Sequence, residues 1–221
     1  MATPSHVTID NLNGKWTIDK KLSSNLDPVL ALQGVSWVLR KAINASTAIL
    51  DVKEHRETDA AAGQTTVRID VVQYTTSGLP GINESRILDW SSSSQENHIL
   101  GKSDVRARFI QGKRNSEGNI LPDLDLQIPV EHEMVKKFLI GEVLEDGTPC
   151  EGFLVENPQE EGIWVQLYAC SHKAGWTAEQ VWGFEMINQE RRYTRRLVVA
   201  NRDGKFQLAR LVYNFIKSNG E

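Results

Sequence analysis

Gly14-Lys15-Trp16, set in the strand-like stretch Leu12-Asn13-Gly14-Lys15-Trp16-Thr17-Ile18, does most to limit what this chain can fold into. Almost everything after it reads as short segments with an apolar period of two. At the head of a long antiparallel series, a tryptophan beside a strand glycine is placed to plug the closed end of a barrel. The indole supplies a large apolar body, and the glycine lets backbone pass close to it. Gly-x-Trp alone recurs by chance, so its weight depends on the strands that follow.

One good helix comes first, over 27–44. Asp27 is placed as its N-cap, with Pro28 at the first helical position, where the missing N–H costs nothing. Val29, Leu32, Val35, Leu39 and Ile43 recur at spacings of three to four, with Trp37 beside them. This predicts a helix packed on a sheet, or a lid over a barrel mouth. Then the period changes. Strands are expected over 46–57 and 64–75 around a turn at Ala60-Ala61-Ala62-Gly63, and a second turn at Gly78-Leu79-Pro80-Gly81. A strand over 82–90 follows, then a turn over 91–95, and one or two strands over 96–110. The stretch 111–127, rich in Gly, Asn, Pro and acids, reads as an irregular loop, and 131–139 as a short helix. Four consecutive strands close the chain, over 162–172, 177–188, 191–201 and 205–217. Asp203-Gly204 is the strongest of their hairpin signals. Such a sheet removes its edges by closing, so residues 1–221 are expected to form one antiparallel up-and-down β-barrel.

Bulk properties narrow the function classes. A net charge of −4 argues against a nucleic-acid binder. No apolar run approaches the length of a membrane-spanning helix, and the N-terminus has no signal-peptide pattern, so a cytoplasmic protein is expected. The two cysteines, Cys150 and Cys170, are then expected to be reduced thiols. There is no Gly-x-Ser-x-Gly, P-loop or dinucleotide glycine fingerprint, and the five histidines are scattered without metal-ligand spacing. Any enzyme here is expected to work without cofactor, metal or covalent intermediate.

What a barrel would hold is written in its aromatic residues and arginines. Alternation places Trp176, Gln180, Trp182, Phe184 and Met186 on one face of a strand, and Ala209, Leu211, Tyr213 and Phe215 on one face of the last. Rings with a few dispersed polar groups suit a pocket for an apolar or polycyclic ligand, although the same rings also fill a small core. Arginines recur in the strands. Arg195-Arg196 and the pair Arg106 and Arg108 are read as a solvated, salt-bridged outer face. Arg68 and Arg86 are the first choices to point inward and grip an anionic or carbonyl oxygen with the planar guanidinium fork.

Three blocks also carry a family likeness. The opening Leu12–Trp16, Lys21-Leu22-Ser23, Asp27-Pro28-Val29-Leu30-Ala31-Leu32-Gln33-Gly34-Val35-Ser36-Trp37 and Arg40-Lys41-Ala42 resembles that of small fungal lipocalin-like proteins. Asn83-Glu84-Ser85-Arg86-Ile87-Leu88-Asp89-Trp90 resembles a later block of theirs, as does the run from Gly175 to Glu185 with Glu190–Arg196. The likeness runs nearly end to end. It implies an all-β, calycin-type barrel with an internal ligand cavity. Some of these proteins are similar to the hetero-Diels–Alderases of fungal secondary metabolism, which join a tropolone o-quinone methide to a humulene-type sesquiterpene. On that implication Arg68, Arg86, Gln180 and Tyr193 are expected as hydrogen-bond donors to the heterodiene, and Trp37, Trp182, Phe184 and Tyr213 as the terpene-facing wall. The alternative is a carrier that binds a hydrophobic metabolite without changing it. A homodimer formed through an outer face is compatible with either.

Overall fold

The computed structural model describes residues 2–59, 64–76, 78, 80–156 and 161–219. The turn expected at Ala60-Ala61-Ala62-Gly63 lies outside these residues, as does Leu79 of the second expected turn. Strand β1 (Gly14–Ile18) is followed by two short helices, α1 (Asp27–Leu32) and α2 (Trp37–Ala45). The expected single helix is broken because Gly34 takes a left-handed φ of +82°, after which Ser36 caps α2 by accepting from Leu39 N. Asp27 is not the N-cap but a first-turn residue of α1, which Leu26 caps. Its carboxylate accepts from Arg40 Nε and Asn44 Nδ2, both at 3.3 Å, and so fastens α2 to α1.

Strands β2 (Ala48–Asp59), β3 (Gln64–Thr75) and β4 (Ile82–Ile87) lead on to β5 (Ser93–Asn97), β6 (Gly101–Arg114) and β7 (Ile120–Pro122). The turn expected over 91–95 is therefore mostly strand, and the loop expected over 111–127 begins in strand and carries β7, with 115–119 and 123–127 left irregular. Helix α3 (Glu133–Leu139) precedes β8 (Ile163–Ser171), β9 (Trp176–Ile187), β10 (Glu190–Asn201) and β11 (Phe206–Lys217). All pairings are antiparallel, in the order β4-β3-β2-β1-β11-β10-β9-β8-β6-β5, with β7 on β6. The first strand thus lies beside the last, as an up-and-down barrel requires.

The two ends of this sheet are stitched together just beyond β4. Leu88 N still donates to Val67 O on β3, but two residues later Trp90 N donates to Ala107 O on β6, and Asp89 bridges Arg108. Trp90 makes the step with a positive φ of 65°, and its ring stacks against the Arg108 guanidinium at 4.2 Å. A curved sheet joined at its ends leaves few unpaired strand edges.

Two apolar clusters result. The inner one gathers alternate residues of the wall around a buried Trp16. Its indole Nε1 donates to Leu12 O at 3.2 Å, and its ring lies 5.0 Å from Phe215 and 5.1 Å from Tyr193. Gly14 is needed there: a Cβ at its φ of +143° would stand 2.6 Å from the Phe215 ring. The outer cluster forms because residues 120–153, α3 included, cover the outside of β8, β9 and β10. Val181, Val198 and Ala200 are apolar for this reason, although they face away from the barrel interior.

Candidate functional site

A cavity of about 540 Å³ opens beneath α2, within the roughly 300–1,000 Å³ typical of small-molecule sites. Leu39, Ile43 and Asn44 of α2 roof it. Ile18, Leu50, Leu211 and Tyr213 form its apolar wall and floor, while Gln73, Thr75, Ser24, His98 and Lys20 bring polar groups to its rim. Lys20 Nζ donates to Asn44 O at 2.7 Å, tying the segment after β1 to the end of the roof helix.

Next to this floor the barrel interior turns polar. Tyr213, Arg195 and Tyr193 lie on the inner faces of β11 and β10, and Trp182 and Gln180 on that of β9. Arg195 is only 7 % exposed. Its Nε donates to Tyr193 Oη at 2.8 Å, and its guanidinium carbon sits 4.0 Å from the Trp182 ring centre and 5.4 Å from that of Tyr213. Burial opposes its charge, yet the neighbouring Tyr193, Tyr213 and Glu84 hold its pKa above the ordinary value. Burial pushes the phenols of Tyr193 and Tyr213 up, so both remain neutral donors. Trp182 Nε1 donates to Gln180 Oε1 at 2.8 Å, which occupies the amide oxygen and leaves the amide NH2 for another acceptor.

The expected site residues fall into three groups. Gln180, Trp182, Phe184, Tyr193 and Tyr213 share the interior, but of these only Tyr213 lines the 540 Å³ chamber. Trp182 and Phe184 pack in the inner cluster behind it, with Arg191 stacked on Phe184 at 3.7 Å. Arg86 also points inward, as expected, but its charge is already used. Its Nη2 lies 2.8 Å from Glu84 Oε1 and its Nη1 donates to Gln95 Oε1 at 3.0 Å, across the line where the two ends of the sheet meet.

Arg68 and Trp37 require correction. Arg68 alternates with the buried Val67 and Ile69 of β3, so it points outward, with a side chain 43 % exposed and 3.3 Å from Asp70. Trp37 is 63 % exposed, because the face of α2 turned to the cavity carries Leu39 and Ile43 instead. The Arg195-Arg196 reading also changes. Neither is solvated: Arg195 enters the barrel, while Arg196 is buried beneath the outer layer against Glu185. The alternation of Tyr193, Arg195, Leu197 and Val199 was the available signal for Arg195.

Because Arg86 clasps Glu84 and Gln95 at the seam, Arg86→Met is expected to cost about 1–3 kcal/mol of stability. Urea denaturation would show this. An unchanged midpoint would mean that the seam holds without the guanidinium.

No helix among the described residues is long and apolar enough to cross a membrane, and no cluster of three or more metal-ligating side chains is found among them. No family model matches the chain. It is similar over nearly its full length to two curated fungal proteins. It is 28 % identical over 216 residues to "Pericyclase pydY" of Acremonium sp, covering 98 % of this chain and 97 % of that one. It is 27 % identical over 216 residues to "Probable pericyclase scpY" of Mollisia scopiformis, covering 97 % and 95 %. The likeness to fungal pericyclases read from the sequence is borne out. Among solved structures it is similar to "As-p18, an extracellular fatty acid binding protein" (10 % identity, TM-score 0.46, 95 % of this chain and 99 % of that one). It is also similar to "REP1-NXSQ fatty acid transporter" (13 % identity, TM-score 0.42, 93 % and 96 %).

Proposed function

We propose that this chain is a cofactor-independent pericyclase whose reaction takes place in the cavity under α2. The observation that carries the reading is the near-full-length similarity to two fungal proteins named pericyclases. At its most specific, the reading is a hetero-Diels–Alder reaction between a tropolone o-quinone methide and a humulene-type sesquiterpene.

The geometry suits such a reaction. A cycloaddition needs two partners, or two ends of one substrate, held face to face. Fixing a near-attack pose supplies about 7–11 kcal/mol of the barrier. The walls Ile18, Leu50, Leu211 and Tyr213 and the roof Leu39 and Ile43 bury an apolar partner and exclude the water that would hydrate a quinone methide. As the heterodiene reacts, negative charge grows on its oxygen. The Tyr213 hydroxyl, the Gln180 amide and the Arg195 guanidinium are fixed donors on the inner face that can stabilise it.

The test is to incubate the purified protein with a tropolonic quinone-methide precursor and humulene and separate the adducts by chiral chromatography. A protein-dependent excess of one stereoisomer is expected. The spontaneous product mixture, left unchanged while either substrate quenches tryptophan fluorescence, would instead make the protein a carrier or a catalyst for other partners.

A further inference from the structure

Among the described residues, the buried and half-buried arginines are matched to carboxylates with one exception. Arg86 faces Glu84, Arg191 faces Glu156, Arg192 faces Glu190, and Arg196 faces Glu185. Arg195 has no ion-pair partner within salt-bridge distance among the described residues. Glu84 acts on its charge only from further off and is held by Arg86. Nε is spent on Tyr193, but the two terminal nitrogens donate to no described residue and are not fully buried. Tyr213 lines the cavity beside it, and its hydroxyl likewise has no hydrogen-bond partner among the described residues.

An unpaired cation in an apolar interior is costly, and proteins meet that cost with a counter-charge or a ligand. Stacking on Trp182 offsets part of it. Stacking uses the flat face of the guanidinium, however, and leaves its edge free for an oxygen acceptor. Tyr193 holds the fork in one orientation, which suits a planar, bidentate acceptor better than a point charge.

We propose that Arg195 and Tyr213 form an oxyanion subsite at the inner end of the cavity, with Tyr213 on its lining and Arg195 directly behind that ring. Its ligand is a substrate with an ionised or readily enolised oxygen at one end, such as a carboxylate, enolate or tropolonate, and a hydrocarbon body directed toward α2. Arg195 and Tyr213 contact the oxygen, and Tyr193 is a positioning residue. The proposal rests on the cavity being the substrate site, but not on which bonds are made there.

Binding is therefore tested apart from turnover, using tryptophan fluorescence at neutral pH with dodecanoate and 1-dodecanol as probes. The wild type is expected to bind dodecanoate at least ~10-fold more tightly than the alcohol, the scale of one charge-assisted hydrogen bond. In Arg195→Met that preference is expected to vanish, with alcohol binding unchanged. Equal affinities in the wild type, or a preference that survives in Arg195→Met, would overturn the subsite. Should Arg195→Met fail to fold, Arg195→Lys keeps the cation but loses the fork. It is expected to weaken dodecanoate several-fold without affecting the alcohol, and undiminished dodecanoate binding would count against the proposal. Absence of cycloaddition in the turnover assay would leave the subsite standing and remove only the reaction assignment.

Discussion

Trp16→Ala is expected to lower the unfolding free energy by about 3–5 kcal/mol, the cost of removing a large buried aromatic side chain whose space cannot collapse. Collapse is prevented by what surrounds the indole. Phe184, Tyr193 and Phe215 converge on it from β9, β10 and β11, with ring centres 5.0–6.5 Å away. Each is fixed by its own strand pairing, so none can move in without breaking register. Denaturant titration should show a lower midpoint with an unchanged slope. A shift smaller than about 1 kcal/mol would mean that the barrel end does not depend on its plug. Trp16→Phe keeps most of the apolar area but loses the donor to Leu12 O. It is expected to fall between the two, because that carbonyl is left without the indole hydrogen bond.

The plug was legible in the sequence because two local signals, a strand glycine and a neighbouring tryptophan, coincide with a long period-two pattern. The four closing strands were legible for the same reason, to within a residue or two at their ends. β5 was not. Ser93-Ser94-Gln95-Glu96-Asn97 has no apolar face and poor strand propensity, and it is strand only because β6 pairs with it. The break between α1 and α2 was hidden by an apolar stripe that continues across Gly34. The site shows where parity reasoning ends. Alternation says that Arg195 and Arg196 face opposite sides of β10, but not which side is the interior. The outward side reads as solvent from the sequence because nothing local shows that residues 120–153 lie over it. Arg68 and Arg86 illustrate the same limit, since each is one of several arginines in strands and only the register with Val67 and Ile69 decides where Arg68 points.

That outer layer leads to the second large expected effect, in Arg196→Met. Arg196 is wholly buried and its donors are all used. Nε and Nη2 bind Glu185 at 2.9 and 3.0 Å, Nη1 donates to Phe138 O and Val143 O at 2.9 and 2.6 Å, and Nη2 also reaches Cys150 Sγ at 3.3 Å. The side chain thus joins β9 to both ends of the turn that follows α3. Removing it leaves Glu185 buried with Arg210 and Thr194 as its remaining partners, at 3.1 and 2.9 Å. Breaking such a pair from one side costs about 3–5 kcal/mol. Arg196→Met combined with Glu185→Leu is expected to recover part of that loss, because Arg210 is half-buried and can turn to water. The orphaned carbonyls of Phe138 and Val143 make recovery incomplete. The pH dependence follows from the same carboxylate. Burial alone would raise the Glu185 pKa, but Arg196, Arg210 and Thr194 hold it below the ordinary glutamate value. A carboxyl depressed in the folded state contributes stability above its unfolded pKa and loses it as the pH falls through the folded one. Acid unfolding of the wild type should therefore steepen below about pH 4.5 and be shallower in the double variant. Equal acid slopes in the two proteins would show that Glu185 is not the group whose protonation loosens the outer layer.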